Sequence, residues 1–340
     1  MGFLKHVIRR LLISIVSIFG IIIITFLLSR ALPGDPVWFR LPDKATLADY
    51  YAERARLGLD KPVIYQLLVF MGDLLTGNWG FSYVVAKDAD VWYLIAIFLP
   101  RSLEVMLISM ALALGLGILF GKISARRMNS IWDYILRVFC YLIISIPAFV
   151  IIVFFVVLYV HTPFKIFPLY GYKTNYYPDP TFITGFPLID SLLAGEWYIF
   201  ADLAWHLVVP VATMTIVQMV AIIRQTRSSL LEIIQMDFIR TAKAKGLSNR
   251  KIINKHAMKL AMPPIITVSA MGFPVVLGGM IAVEAAYHFV GIGFIFRSAI
   301  RTRDYSVIIA IIFILGVTVI SFNFLTDIIN GFLDPRIRFK

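Results

Sequence analysis

The sequence predicts an all-α integral membrane protein with six transmembrane helices and both termini in the cytoplasm. Three observations carry that prediction. The 340 residues are 60% hydrophobic and only 15% charged, against about 25% charged in a soluble domain, so one soluble core could not bury this much apolar surface. Six apolar stretches each approach the roughly 20 residues a helix needs to cross about 30 Å of hydrocarbon. The basic residues cluster in alternate segments between those stretches. The same composition excludes a disordered, collagenous, coiled-coil or disulfide-stapled secreted chain. The single cysteine, Cys140, excludes an internal disulfide and a thiolate metal cluster.

The predicted spans run, in order, over Leu11–Leu28, Leu103–Gly121, Val138–Val160, Leu203–Ile223, Pro263–Tyr287 and Val307–Phe332. Pro147, Pro210 and Pro274 fall inside the third, fourth and fifth, which predicts kinks in a bundle whose neighbouring helices satisfy the freed carbonyls. Lys5, Arg9 and Arg10 precede the first span in the manner of a signal peptide. Its apolar core is longer than an h-region, and no small-residue cleavage site follows before Leu32-Pro33-Gly34-Asp35-Pro36. It reads as a retained first helix.

Charge sets the direction. Lys5, Arg9 and Arg10, then Lys122, Arg126, Arg127 and Arg137, then nine cations from Arg224 to Lys259, then Arg336, Arg338 and Lys340 account for 19 of the 32 Lys and Arg. These segments hold only four acids, Asp133, Glu232, Asp237 and Asp334. Positive residues stay on the cytoplasmic side, so the net charge of +12 records orientation rather than a nucleic-acid surface. The organisation is then a cytoplasmic N-terminus and first span over 1–30, an outer loop over 31–100, and a five-helix core over 101–340. The core carries an outer loop at 161–202 and an inner loop at 224–262. The first outer loop contains helix-like pieces at Leu47–Leu57 and Val63–Leu75. The second is rich in aromatics, including Phe164, Phe167, Tyr170, Tyr172, Tyr176, Tyr177, Phe182, Trp197 and Tyr198. It fits an interfacial belt or a docking surface for an external partner.

Catalytic and nucleotide-binding motifs are missing. Gly121-Lys122 would end a phosphate-binding loop, but Leu116 stands where its first glycine belongs and Ile123 where its hydroxyl belongs. Gly117 and Gly121 read instead as a small-residue surface for close helix packing. There is no nucleophile elbow and no zinc-protease helix. Glu284 and His288 share a helical turn, which is two ligands and not a metal site. The intramembrane carboxylates Glu104, Glu284 and Asp327 lie near span ends, where water or a partner is expected to reach them. A proton-coupled mechanism would keep such groups at mid-membrane. The chain therefore reads as neither enzyme nor ion-coupled carrier, with no cofactor and no metal.

The inner loop over 224–262 is the most informative segment. Leu230, Leu231, Ile234, Phe238, Thr241, Ala242 and Lys245 fall at steps of three and four, which predicts a helix with a modest apolar stripe. Gly246 can stop it in a left-handed cap and Ser248 can N-cap the next helix. Two helices meeting at a glycine make a rigid knob suited to passing force from a soluble partner. By pattern alone the same loop could lie on anionic lipid.

Asp237-Phe-Ile-Arg240-Thr241-Ala242-Lys243-Ala244-Lys245-Gly246-Leu247 closely resembles the coupling motif of permease subunits of ABC importers. The variant is that of the dipeptide/oligopeptide family, with Arg-Thr-Ala in place of Glu-Ala-Ala. Ala242 and Gly246 keep the motif's spacing; the general motif's later Ile-x-Leu-Pro is absent from its usual register, and Pro263-Pro264 occupies the later position of this subfamily. Further matches cover the whole chain. They are Arg9-Arg10-Leu11-Leu12, Leu32–Pro36, Leu57-Gly58-Leu59-Asp60-Lys61-Pro62, Gly77-Asn78-Trp79-Gly80-Phe81-Ser82, Val283-Glu284 with Gly291-Ile292-Gly293, Arg303-Asp304-Tyr305 and Leu333–Arg338. An aromatic insertion at about Thr174–Phe200 departs from the pattern.

The resemblance implies the type I ABC importer permease fold and a place in the cell membrane. It also implies four partners: a homologous sister permease, two cytoplasmic ATP-binding subunits and an external solute-binding protein. The solute class it implies is peptides or oligosaccharides, with metal chelates also carried in the family. ATPase coupling falls on Asp237, Arg240, Thr241, Ala242, Lys245, Gly246 and Leu247. Thr213, Thr215, Gln218, Ser269, Gly272, Gly278 and Gly279 are the candidates for the substrate path, as polar or flexible points on the fourth and fifth spans. The rival is a secondary carrier or channel working without ATPase subunits.

Overall fold

Helices dominate because the apolar runs leave the backbone no other way to satisfy its polar groups in lipid. The computed structural model describes residues 2–31, 37–38, 41, 44–161 and 166–333. Leu32–Pro36, Phe164 and the terminal residues from Asp334, which the sequence reading used, lie outside them. Helix α1 is Gly2–Ala31, and two short helices follow, α2 (Leu47–Arg56) and α3 (Val63–Thr76). Both match the pieces that the sequence predicts. Thr46 and Asp49 form a reciprocal capping box that starts α2, and Gly77 ends α3 in a left-handed conformation at φ 79°.

The core then runs through α4 (Val91–Arg126), α5 (Ile131–Ser145), α6 (Ala148–His161) and the short α7 (Pro187–Leu193). It continues through α8 (Trp197–Ile234), α9 (Asp237–Ala244) and α10 (Asn249–Lys251). A π-helical turn, Ile252–Ala257, leads into α11 (Met258–Met271), followed by α12 (Phe273–Tyr287), α13 (Ile292–Thr302) and α14 (Tyr305–Leu333).

Among the described residues four helices, α1, α4, α8 and α14, are long and apolar enough to cross a membrane alone, and six spans result if each of two bent pairs counts as one. The prolines act unequally. The third span is not one kinked helix: α5 and α6 meet at 99° across Ile146-Pro147. The fifth bends by 41° at Gly272, just ahead of Pro274 in the first turn of α12. Pro210 lies inside α8, which runs on without a break.

Helices α4 and α8 pack along each other as the small residues predict. A Cβ on Gly117 would lie 2.6 Å from the Ile222 side chain, and one on Gly121 would lie 2.5 Å from that of Thr226. Two chain-distant helices, α1 and α14, pair the same way around Gly316 and Ile21. Arg10 bonds Asp327 at 3.0 Å, so the start of α1 lies beside the end of α14. At the opposite end of the bundle α2, α3, α7, α13 and the 166–196 segment are gathered.

Hydrogen bonds and ring contacts tie that segment down. The Thr174 hydroxyl donates to Asp202 at 2.6 Å, Thr181 donates to Glu196 at 2.7 Å, and three backbone N–H groups of residues 183–185 donate to Asp190. Arg101 stacks on Tyr172 at 4.3 Å, and burial pushes the Tyr172 hydroxyl up so that it stays protonated and donates to Asp179. Tyr176, Phe182, Trp197 and Tyr198 remain exposed.

Candidate functional site: a projecting knob and a membrane cavity

The knob is built from two turns. Residues Leu230 to Lys245 do not form the single helix their spacing predicts, because α8 ends at Ile234 and the chain turns through an extended Met236 into α9. The reason is packing. Ile233 on α8 and Ile239 and Ala242 on α9 all join one buried cluster with Ile252 and Ile253, and a straight helix could not return the second pair to it. At the far end the N–H groups of Gly246 and Leu247 donate to Lys243 and Ala242 carbonyls at 2.9 and 3.2 Å. Gly246 takes φ 74°, the left-handed cap the sequence predicts. Ser248 accepts the Lys251 N–H at 3.4 Å and starts the next helix.

This arrangement sorts the seven predicted coupling residues. Asp237, Arg240, Thr241, Lys245 and Gly246 are exposed on the outside of the knob. Ala242 is buried and Leu247 half-buried, so they seat it. Arg240 reaches Asp237 at 3.3 Å with both side chains largely in water, a contact worth little.

The path candidates divide likewise. A cavity of about 300 Å³ opens between α6, α8, α11 and α12, and Thr213, Gln218, Ser269, Gly272 and Gly279 line it with Met214, Phe149 and Val275. Its polarity is muted, since Thr213 donates to Val209 and bonds the Tyr287 hydroxyl at 2.9 Å, and Ser269 donates to Ile265. Thr215 is elsewhere, its hydroxyl on the Ser109 carbonyl of α4. Gly278 is exposed on the outside of α12, one turn from the exposed Pro274 and Val275 and beyond them Met271 at the end of α11.

Two families of comparison bear on this geometry. The profile described as "Binding-protein-dependent transport system inner membrane component" matches residues 113–339, and its N-terminal companion matches residues 3–105. Relatives match over nearly full length. A di/tripeptide transport system permease protein, DppB, of Pseudomonas aeruginosa is 34% identical across 98% of this chain and 99% of its own. An oligopeptide permease protein, AppB, of Bacillus subtilis is 33% identical across 98% and 99%. The oligopeptide permease protein OppB of Haemophilus influenzae is 32% identical across 99% and 100%. The chain belongs to the binding-protein-dependent permease family of ABC importers. It is a multi-pass inner-membrane permease subunit, and ATP hydrolysis belongs to separate subunits.

Three polar clusters in this permease went unseen in the sequence as clusters, although their motifs were visible singly. Asp133, fully buried at the start of α5, accepts from Nε and Nη2 of Arg227 on α8 at 2.8 and 3.0 Å, and also from the Ser124 hydroxyl. This clamp stands within two turns of the knob. At the opposite end Asp304 receives the Ser82 hydroxyl at 2.6 Å and the N–H groups of Tyr83, Val84 and Val85 at 3.0–3.2 Å. It thereby joins two of the family motifs.

The third cluster corrects an expectation. Glu284 is fully buried and Glu104 nearly so, out of reach of water. Glu284 accepts from Ser102 and from the Phe294 N–H at 2.7 Å, while Ser102 accepts the Ile292 N–H at 2.8 Å. A Cβ on Gly291 would fall on the Glu284 and Ser102 side chains, which is why glycine stands there. Glu104 accepts the Leu188 N–H at 3.0 Å. His288 turns away to cap α12 and sit edge-on to Tyr170, so it shares no ligand site with Glu284.

Proposed function

We propose that this permease and a homologous sister subunit form the path of an ATP-driven importer of peptides, working by alternating access. Two cytoplasmic ATP-binding subunits would grip Asp237–Leu247, and an external solute-binding protein would deliver the peptide. The observation that carries the proposal is the knob. Its outward face carries the coupling motif, while Ile239 and Ala242 bind it to the bundle core. A push on it therefore moves α8 and α11 as bodies. The peptide class rests on what the relatives' names state of them.

The sides follow from charge. The end of the bundle with the knob carries the excess of Lys and Arg, which supports a cytoplasmic knob and cytoplasmic termini. The five cavity residues sit beside the exposed apolar stripe Met271, Pro274, Val275 and Gly278. A sister subunit covering that stripe would close the cavity into a path.

The test is reconstitution with the sister, ATPase and binding-protein subunits. Gly246→Asp is expected to insert and to melt only slightly below the parent, since aspartate tolerates the left-handed cap, yet to lose most of the ATP hydrolysis that peptide-loaded binding protein stimulates. Unchanged stimulation would sink the coupling role.

A further inference from the structure

We propose that the inner end of α4 and the π-helical turn together form a binding site for the headgroup of an anionic phospholipid. The residues are Leu119, Lys122, Ile123 and Arg126 on α4, facing Arg250 and Asn254, around a cavity of about 280 Å³. The four α4 residues recur at steps of three and four, so they share one face. That face is graded. Leu119 lies seven residues nearer mid-membrane than Arg126, about 10 Å along the axis. The aliphatic wall thus sits at the hydrocarbon side and the charges sit at the membrane surface. An amphiphile has this same order.

Charge points the same way. No acid lines the pocket, and among the described residues none of its three cations makes an ion pair. The inner acid Asp133 is already held by Arg227 and Ser124. Three cations around one small space repel one another until an anion enters. Opposite them the π-turn buries Ile252, Ile253 and Ala257 and leaves Asn254 exposed, which aims an uncharged donor and acceptor at the pocket. A phosphodiester between Lys122, Arg126 and Arg250 would place its ester and first methylenes against Leu119 and Ile123. It would also bridge α4 to the segment that follows the knob.

The site is tested on the full chain in detergent by native mass spectrometry, with titration of phosphatidylglycerol, phosphatidylcholine or inorganic phosphate. The triple variant K122Q/R126Q/R250Q is compared with K5Q/R9Q/K259Q, which removes three exposed cations elsewhere on the same side. Phosphatidylglycerol is expected to bind the parent and the control in one tight copy. In the pocket variant binding weakens on the order of a hundredfold, from about fivefold for each cation. Phosphatidylcholine is expected to bind weakly, and millimolar phosphate not to displace the lipid. Equal loss in both variants would reduce the effect to general surface charge and overturn the site. Displacement by phosphate alone would make it a free-anion site and overturn the lipid assignment. A pocket variant that keeps its lipid with parental affinity would overturn the site outright. None of these readouts depends on transport, so they stand apart from the test of coupling.

Discussion

Gly246 has φ 74° and open space where a side chain would begin, so backbone strain and partner contact can be separated there. Alanine is expected to cost about 1 kcal/mol in the cap without filling anything. Asparagine tolerates the left-handed conformation, so Gly246→Asn should keep the cap and report on contact alone. If Asn restores stimulated ATP hydrolysis and Ala does not, the cap matters; if both fail, the glycine's smallness does. Asp304 is the second informative residue. Asp304→Ala orphans the buried Ser82 hydroxyl and the part-buried N–H groups of Tyr83, Val84 and Val85, at about 1–3 kcal/mol for each one that water cannot reach. The purified chain should melt several degrees lower, while Ser82→Ala, which leaves Asp304 its three N–H donors but removes the acceptor of the Ala86 N–H, should cost about 1 kcal/mol.

At the scale of elements, the Asp133–Arg227 clamp locks the α4–α5 corner to the inner part of α8. Removing Arg227 leaves the buried Asp133 only Arg137, 3.6 Å away, as a cation, so the loss should fall toward the low end of the about 3–5 kcal/mol of a broken buried pair. Arg227→Ala should therefore destabilise more than the double variant D133N/R227Q, which keeps hydrogen bonding without charge. Equal melting temperatures for the two would show that the pair carries no net structural charge requirement. Close approach of α4 and α8 depends on Gly121, and Gly121→Val would drive a side chain into Thr226. The expected result is loss of the folded chain from the membrane fraction, measured by protease resistance. The spacing Leu230 to Lys245 was legible as helical, but the turn at Met236 was not. Helical periodicity continues in phase across a break when both pieces face the same core.

For the whole molecule the sharpest prediction is sidedness. Cysteines placed at Lys44 and Lys251, both exposed, should react with an impermeant maleimide from opposite faces of right-side-out vesicles. Labelling from the same face would overturn the six-span arrangement. The four long helices α1, α4, α8 and α14 were readable because lipid demands long apolar runs, and α2 and α3 were legible as helix-like pieces. The bent third span was not, since Pro147 predicts a kink but not its angle. The aromatic segment was open between belt and docking surface. Its ties to Asp190, Asp202 and Glu196 run within and around the segment, and a list of aromatics carries no sign of them.

By itself the sequence determined the membrane class, the long apolar helices α1, α4, α8 and α14, the charge asymmetry and the Gly246 cap, because each is a local property of hydropathy, charge or backbone freedom. Tertiary structure alone decided which motifs meet. Ser82 with Asp304, Ser102 with Glu284, and Asp133 with Arg227 are separated by 222, 182 and 94 positions. Each is a polar side chain that must find its partner once lipid or core removes water, and the choice of partner is made by helix packing. The same packing gathered five of seven path candidates around one cavity and left Thr215 and Gly278 outside it. Spacing along a helix tells which residues share a face, but only the neighbouring helices decide what that face meets.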